Sequence, residues 1–238
     1  MARFEETRSK IQERGYWWLA MHPTQPTALP RDLATTEKTL RESAVSLTGW
    51  DYPHVPLGDN ENGAVYRLDD AVEAWADFHI HKEVLRFHTN GLFVHLLGFR
   101  EDWYADDPWP TGLQNVKPGT ALDFLGVIYQ VTQMMIFLRN LVQRGLYPDG
   151  VVFNLELRGM RNRLLTTFDP GRYLSREYRS HADAFKLSNQ AFSSSQVLED
   201  YLGLATANIQ AIFSRFGWDR AANDLIEQAQ KKLIDRRL

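Results

Sequence analysis

The sequence predicts an α+β fold, in which a mainly antiparallel sheet with hairpins is packed by a long central helix and two C-terminal helices. Three observations predict it. Strand-like segments follow one another without an intervening helix from residue 64 to residue 99. Asn90-Gly91 is the strongest short-range hairpin pattern. The apolar segment at residues 124–138 is too long for an ordinary strand and indicates a buried helix.

The first elements follow from periodicity and from residues that end helices. Residues 4–14 predict a short amphipathic helix, which Gly15 ends. YWWLAMHP, residues 16–23, predicts a strand rich in aromatic residues. Asp32 or one of the threonines that follow it can cap a second helix that ends at Ser43.

The next segment is expected to fold around Asn90-Gly91. If these two residues form a two-residue turn, one face is apolar, and the other carries Arg86, His88 and His95 together with Val84, Phe93 and Leu97. An arginine beside imidazoles disfavours a cation and favours an anion such as phosphate or carboxylate. The three residues are therefore a candidate anion-binding site, and the alternative is an ordinary polar sheet face.

The second half of the chain is expected to begin with a long helix that ends at Gly145. The predicted elements are a helix at residues 120–144, a hairpin at 150–169 with a loop at 159–162, a short strand at 183–188, and helices at 195–215 and 219–236. No linker is long enough to force a boundary. We therefore expect a single α+β domain over residues 1–238, with 195–238 as a C-terminal helical pair.

Composition limits the compartment and the chemistry. The chain has no cysteine, which excludes disulfides, thiolate metal sites and cysteine nucleophiles. Acidic residues precede any apolar run at the N-terminus, unlike a secretory signal, so a cytoplasmic protein is expected. Residues 124–138 include Gln130, Thr132 and Gln133 and fall short of the roughly 18 to 20 apolar residues of a membrane span, so no membrane partner is expected.

Charge is unevenly distributed, although the formal net charge is only −3. Residues 51–107 hold twelve acidic and four basic side chains, whereas residues 158–179 hold six arginines and two acidic side chains. The two segments therefore carry net charges of opposite sign, −8 and +4, and this contrast favours a module that binds a partner.

The best metal candidate is HIHKE, which places His79, His81 and Glu83 at alternate positions. On one strand these side chains would point to the same side. Glu83 would nevertheless lie about 13 Å from His79 along a straight strand. The sequence therefore predicts at most a metal site formed by His79 and His81, and the alternative is a pair of ordinary strand histidines.

Two patches could bind a macromolecule. Trp103, Tyr104 and Trp109 occur in a predicted loop, where exposed aromatic residues favour a protein partner, although they could equally cover the ends of the sheet. Arg158, Arg161 and Arg163 would cluster at the tip of the second hairpin, where guanidinium groups suit nucleic-acid phosphates. The sequence pI of about 6.2 is below that of dedicated nucleic-acid binders.

Familiar catalytic motifs are missing from the sequence. It contains no glycine-rich phosphate loop, no Gly-x-Ser-x-Gly elbow and no His-Glu-x-x-His helix. These absences remove the usual support for nucleotide hydrolases, dinucleotide-dependent enzymes and serine hydrolases. We predict no cofactor.

Four segments carry a resemblance: RGYWWLAMHPT, VSLTGWDYPHV, VLRFHTNGLFVHLLGF and IFSRFGWD. Their order is similar to that in a poorly characterised group of bacterial proteins. In that group a comparable region stands alone or beside a Schlafen-type AlbA domain, which is assigned to DNA binding, in settings of defence or stress. The resemblance implies no defined reaction and no functional residue, and the chain has no segment that matches the accompanying domain.

The leading functional hypothesis is a non-catalytic binding or sensor module of a bacterial defence or stress system. It would act through a protein partner and, as a secondary contact, through nucleic acid. The sequence leaves the oligomeric state undetermined. The alternative is a metal-dependent hydrolase or nuclease that uses His79 and His81.

Overall fold

The computed structural model describes residues 2–25, 31–107, 113–219, 221 and 223–236. The helices are α1 (Ala2–Gln12), α2 (Leu33–Ser43), α3 (Phe124–Gln143), α4 (Ser194–Ser214) and α5 (Asn223–Ile234). The strands are β1 (Tyr16–Pro23), β2 (Gly63–Arg67), β3 (Ala71–Phe78), β4 (His81–His88), β5 (Phe93–Gly98), β6 (Ala121–Asp123), β7 (Val151–Arg158), β8 (Leu164–Thr166), β9 (Tyr178–Arg179) and β10 (Ala184–Phe192). The predicted α+β class is confirmed.

A seven-stranded antiparallel sheet forms the centre of the fold, in the order β10, β7, β1, β5, β4, β3, β2. A smaller sheet contains β6, β8 and β9, with β6 parallel to β8. Two short 3₁₀ helices, Arg100–Asp102 and Tyr104–Asp106, follow β5 and connect the large sheet to the segment before α3.

The two faces of the large sheet are covered differently, because successive side chains of a strand point to opposite sides. Val84 and Leu96 face α1 and pack in a small cluster with Phe4. The other face carries the main core beneath α3, where Phe137 of the helix lies 5.0 Å from the ring of Phe93. Helices α4 and α5 pack on the outer side of α3.

Helix α3 is the predicted long central helix. It begins four residues later than expected, because residues 121–123 form β6 and Asp123 caps the helix. Its 20 residues have the length and, at a hydropathy of 1.2, the composition of a membrane span, yet 72% of the apolar window is buried inside the protein. Such burial is what a core helix of a soluble protein shows.

The predicted register of the β4 and β5 hairpin is wrong. The His88 N–H donates to the carbonyl of Leu92, and the Gly91 N–H donates to the carbonyl of His88. The loop between the paired residues His88 and Leu92 therefore contains three residues, 89–91, and of Asn90 and Gly91 only the glycine has a positive φ, +90°. Leu85 consequently faces His95 across the ladder. A shift of one residue moves an entire strand's side chains to the opposite faces.

The second predicted hairpin is also wrong. Strand β7 pairs with β1 on one edge and with β10 on the other, so neither edge is free for β8. Strand β8 instead joins the small sheet. The short strand expected at residues 183–188 lies within the longer β10. Helix α4 begins within one residue of its predicted start and is capped by Ser193, whose side chain accepts from the Gln196 N–H.

Candidate functional site

The three residues of the candidate anion site do not come together. The corrected register places His95 on the α3 side of the sheet and Arg86 on the α1 side. Arg86 pairs with the buried Glu73, and His88 lies 3.2 Å from a carboxylate oxygen of Asp70. The prediction that Arg86, His88 and His95 share one face is therefore wrong, because the turn is one residue longer than assumed.

The candidate metal pair does not lie on one strand either. His79 lies in the turn between β3 and β4 with a φ of 50°, and its Nδ1 is 3.0 Å from Asp107. His81 is the first residue of β4. The two histidines therefore do not occupy alternate positions of one strand, and that premise of the metal prediction is wrong. The described residues contain no group of three or more metal-ligating side chains.

The three arginines of the predicted hairpin tip have acidic partners. Arg158 lies 2.7 Å from Glu156. Arg161 forms a two-bond exposed pair with Asp183, and Arg163 is buried against Asp102 with bonds of 2.8 Å and 2.5 Å. Their charge is therefore largely neutralised within the chain. The Asp102 and Arg163 pair also joins the acidic region of the sequence to the basic one.

The aromatic patch is divided between interior and surface. Trp103 is only 2% exposed, and the Arg14 guanidinium lies 4.0 Å from the centre of its ring. Tyr104 is half-buried and packs edge-on against Phe168. Trp109 lies outside the described residues. Trp103 therefore serves the packing of the protein and is not presented to a partner.

A buried polar cluster, the Glu83 network, is formed by Trp50, Tyr52, His54, Glu83 and His95. The Glu83 carboxylate accepts from Trp50 Nε1 at 2.8 Å, from the His54 backbone N–H at 3.1 Å and from His95 Nε2 at 2.9 Å. Since a carboxylate only accepts, His95 Nε2 carries a proton, and the Tyr52 hydroxyl lies within hydrogen-bond distance of His95 Nδ1, at 3.3 Å. The network ties the segment before β2 to the sheet.

The protonation of the Glu83 network does not suit a reaction centre. Burial alone would raise the pKa of Glu83, but the hydrogen bond and charge of His95 and the Trp50 N–H outweigh it and lower this pKa below its ordinary value. Burial and the negative charge of Glu83 raise the pKa of Tyr52, so its hydroxyl stays protonated. The order of hydroxyl, imidazole and carboxylate resembles that of a catalytic triad. The likeness ends there, because the protonated Tyr52 is not activated as a nucleophile.

Two further imidazoles stack on Trp50. His54 and His81 lie 3.9 Å and 4.2 Å from the indole, measured between ring centres. Burial, with a contribution from the positive charge of Arg100, lowers the pKa of His81 to about 3, so this ring is neutral. The Nδ1 atom of His54 is buried and has no partner within the described part of the chain.

A second polar region, the α3 pocket, lies between the end of β5, the first 3₁₀ helix and the N-terminal half of α3. Its volume is about 70 Å³. Trp17 and Leu97 from the sheet and Val127 from the helix form apolar parts of the wall. The polar side chains that line it are Arg100, Glu101, Tyr104, Asp123, Tyr129, Gln130 and Gln133.

Two glutamines of α3 leave buried atoms without partners. Gln130 is 7% exposed and Gln133 is 2% exposed. Among the described residues, neither Gln130 Nε2 nor Gln133 Oε1 has a hydrogen-bond partner. A buried donor or acceptor without a partner costs roughly 1 to 3 kcal/mol. The α3 pocket therefore lacks one acceptor and one donor that a bound molecule could supply.

The α3 pocket also contains a cation without an acidic partner. Within the described ranges, the Arg100 side chain forms no hydrogen bond and no ion pair, and only its backbone carbonyl accepts, from the Trp103 N–H. Its positive charge nevertheless acts on three groups: it opposes the rise in pKa that burial causes at Asp123 and Tyr104, and it adds to the lowering of the pKa of His81. Arg100 therefore lines the α3 pocket and is close enough to His81 to affect its protonation.

The carboxyl groups of the α3 pocket are held in unusual protonation states. Burial raises the pKa of Glu101 to about 7, although the Asp123 N–H donates to its Oε1 at 2.8 Å. Burial also raises the pKa of Asp123, whose side chain caps α3 by accepting from the N–H groups of Leu125 and Gly126. Burial and the charge of Glu101 raise the pKa of Tyr104. Near pH 7 the pocket thus combines a cation, a partly protonated carboxyl group and neutral amides.

Sequence reasoning missed this site. Gln130 and Gln133 were noticed only as polar interruptions of an apolar segment, although their spacing of three places them on one face of a helix. Two amides on the buried face of an apolar helix were the available signal. Arg100 and Glu101 were assigned to a loop of aromatic and acidic residues, and the sequence does not indicate that this loop turns beneath α3.

Comparisons with known proteins add no relative. No family model, curated protein or solved structure matches the chain. The resemblance to bacterial proteins that accompany an AlbA-type domain therefore stays a prediction.

Proposed function

We propose that this chain is a cytoplasmic binding or sensor module that takes up a small polar ligand in the α3 pocket. The observation that carries the proposal is the pair of unpartnered buried atoms, Gln130 Nε2 and Gln133 Oε1, on the wall of a cavity. More than nine in ten buried polar groups of folded proteins are expected to have a partner. A ligand with a donor and an acceptor would explain why both amides are retained in this helix.

The groups around the α3 pocket favour binding over chemistry. The Asp123 carboxylate already accepts two backbone N–H groups at the start of α3. The raised pKa of Tyr104 keeps its hydroxyl protonated. Neither residue is therefore an activated nucleophile, and recognition is the simpler use of the site.

Water is the competing occupant of the α3 pocket. At about 30 Å³ of liquid volume per molecule, two ordered waters would fill 70 Å³ and could satisfy both amides. A site built for water stabilises the folded chain, whereas a site built for a ligand leaves the unliganded chain with an unfavourable pocket. Removal of an amide should therefore destabilise the unliganded chain if the pocket is built for water, and stabilise it if the pocket is built for a ligand.

The test is a thermal-shift screen of small polar compounds on the full chain and on Gln130→Met. A ligand of the α3 pocket should raise the melting temperature of the unsubstituted protein and lose this effect in the variant. Gln228→Met, which changes an exposed glutamine of α5, is the matched control and should keep the effect. A compound that stabilises all three proteins equally would bind elsewhere, and a screen in which no compound acts through Gln130 would refute the proposal.

A second candidate function is favoured by Glu101. A buried carboxyl group with a pKa of about 7 is suited to general acid or base chemistry near neutral pH. The chain would then be an enzyme that acts on the small molecule bound beside Glu101, with Glu101, and not His79 and His81, at the reaction centre. Product formation that is abolished in Glu101→Gln, with ligand binding retained, would favour this function over pure binding.

We propose that the module passes the effect of ligand binding to a protein partner in a bacterial defence or stress setting. A site without chemistry needs a partner that responds to its occupancy. Nucleic acid has less support, because Arg158, Arg161 and Arg163 are paired with acidic side chains. A pull-down with and without a ligand found in the screen would test this part, and partners that are identical in both conditions would contradict a sensor.

A further inference from the structure

We infer that the ligand of the α3 pocket is a small carboxylate that also carries a hydroxyl or amino group next to the carboxylate carbon. This inference rests on the proposed function and specifies the chemical class of the ligand. Three properties of the pocket lead to it: one cation without an acidic partner, one unpartnered donor and one unpartnered acceptor.

The anionic end of the ligand follows from Arg100. It is the one cationic side chain on the described wall of the pocket, and no carboxylate of the described chain pairs with it. A guanidinium group binds a carboxylate through two parallel N–H bonds. Gln130 Nε2 supplies another donor on the same wall. Arg100 and Gln130 are therefore assigned to the two carboxylate oxygens of the ligand.

The second group of the ligand follows from Gln133. Its Oε1 atom is buried and needs a donor, which a simple carboxylate cannot supply. The Gln133 amide nitrogen already donates to the Tyr129 carbonyl at 3.4 Å, and this contact fixes the oxygen as the free end. A hydroxyl or amino group on the ligand would donate to this oxygen. A site with such a buried acceptor should reject an analogue that lacks the donor.

The charge of the α3 pocket disfavours a phosphate or sulfate. A doubly charged anion calls for more than one cation or for a helix N-terminus, and Arg100 is the single cation on the described wall. The N-terminal amides of α3 are occupied by Asp123, and Glu101 gains negative charge above pH 7. A singly charged carboxylate matches this balance better.

The volume of the α3 pocket limits the size of the ligand. A cavity of about 150 Å³ accommodates benzene, so the 70 Å³ of this pocket fits a molecule of only a few heavy atoms. Glycolate and glycine have this size and carry the required groups. Ligands of so few atoms bind no more tightly than roughly micromolar concentrations.

The test is NMR titration of the full chain with five probes: glycolate, glycine, acetate, ethylene glycol and inorganic phosphate. Glycolate or glycine should bind at least about tenfold more tightly than acetate, which lacks the donor, and than ethylene glycol, which lacks the charge. Acetate or phosphate binding as tightly as both glycolate and glycine would overturn the inference.

Variants assign the contacts. Arg100→Met should abolish binding of every carboxylate, whereas Arg215→Met, at an exposed arginine near the end of α4, should change nothing. Gln133→Met should lower the affinity for glycolate or glycine to that for acetate and leave the affinity for acetate unchanged. Equal weakening of both would contradict the role given to Gln133.

The outcomes separate this inference from the function on which it rests. If none of the five probes binds but another small compound acts through Gln130 in the thermal-shift screen, the ligand class is wrong and the binding module stands. If glycolate or glycine binds as expected but no partner responds to it, the ligand class stands and the sensor role fails. If no compound acts through Gln130, both proposals fail.

Discussion

The Glu83 network and the α3 pocket are both buried and polar, but they differ in how completely their atoms are paired. Both oxygens of Glu83 and both ring nitrogens of His95 have partners, and among the described residues His54 Nδ1 is the one buried side-chain atom of this network that lacks one. In the α3 pocket, Gln130 and Gln133 each leave an atom without a described partner. The comparison indicates two uses of buried polar groups. A cluster whose atoms are largely hydrogen-bonded to one another stabilises the fold, whereas a cluster with unpartnered atoms can bind another molecule through them.

The largest effect is expected when the hydrogen bonds of the Glu83 network are removed. Glu83→Ala would leave the donors of Trp50, His54 and His95 without an acceptor, and we expect a loss of about 3 to 5 kcal/mol in the free energy of unfolding. Urea denaturation measures it. Tyr52→Phe, which removes only the 3.3 Å bond to His95, should cost about 1 kcal/mol. A change below about 1 kcal/mol in Glu83→Ala would show that the network does not stabilise the fold.

A pH profile sharpens the comparison from the side of the α3 pocket. The pKa of Glu101 is about 7 in the folded chain and 4.5 ordinarily, so the folded state holds the proton more tightly. This stabilisation is complete below pH 4.5 and is lost as the pH rises through about 7. The loss should approach about 3 kcal/mol, since one pKa unit corresponds to about 1.4 kcal/mol.

The variant Glu101→Gln should not show this loss of stability as the pH rises from 4.5 through about 7. Unfolding free energies measured from pH 5 to pH 9 would show a flatter profile for the variant than for the unsubstituted chain. Glu199→Gln, at an exposed carboxyl group of α4, is the control and should keep the original slope. Identical slopes in all three proteins would mean that Glu101 titrates normally.

The opposite pH dependence is expected beside the Glu83 network. The pKa of His81 is lowered from 6.5 to about 3, so the unfolded chain takes up a proton first as the pH falls. The contribution of neutral His81 is complete above pH 6.5 and should decrease by about 2 kcal/mol towards pH 5. His81→Phe keeps a ring against Trp50 and should remove this decrease.

The control for His81 is another histidine of the same strand. His88→Phe changes a ring that contacts Asp70 at the surface, and the decrease towards pH 5 should remain. An acid profile that is the same in His81→Phe as in the unsubstituted chain would contradict a buried neutral imidazole at this position.

Local patterns predicted local structure well. YWWLAMHP forms β1 over the predicted residues, and the apolar segment lies within α3, because alternation and length are properties of the segment itself. Register was harder to predict. Asn90-Gly91 marks a turn correctly, but the hydrogen bond of His88 to Leu92 sets its length, and one residue of shift moved His95 from a supposed surface into the core.

The candidate site depended on contacts that no local pattern contains. Asp102 and Arg163 were visible as members of two oppositely charged regions, yet only the fold shows that they form a buried pair. Gln130 and Gln133 were visible as polar residues in an apolar helix. Whether their amides are satisfied depends on the segments that pack against them, and the sequence does not identify these segments.

The most direct test of the central claim is the free energy of unfolding of Gln133→Met without ligand. If its buried oxygen is unpartnered, replacement by an apolar side chain of similar length should stabilise the chain by about 1 to 2 kcal/mol, while exposed Gln228→Met changes nothing. A loss of about 1 kcal/mol or more in Gln133→Met would contradict the account, because it would mean that the amide already has a structural partner.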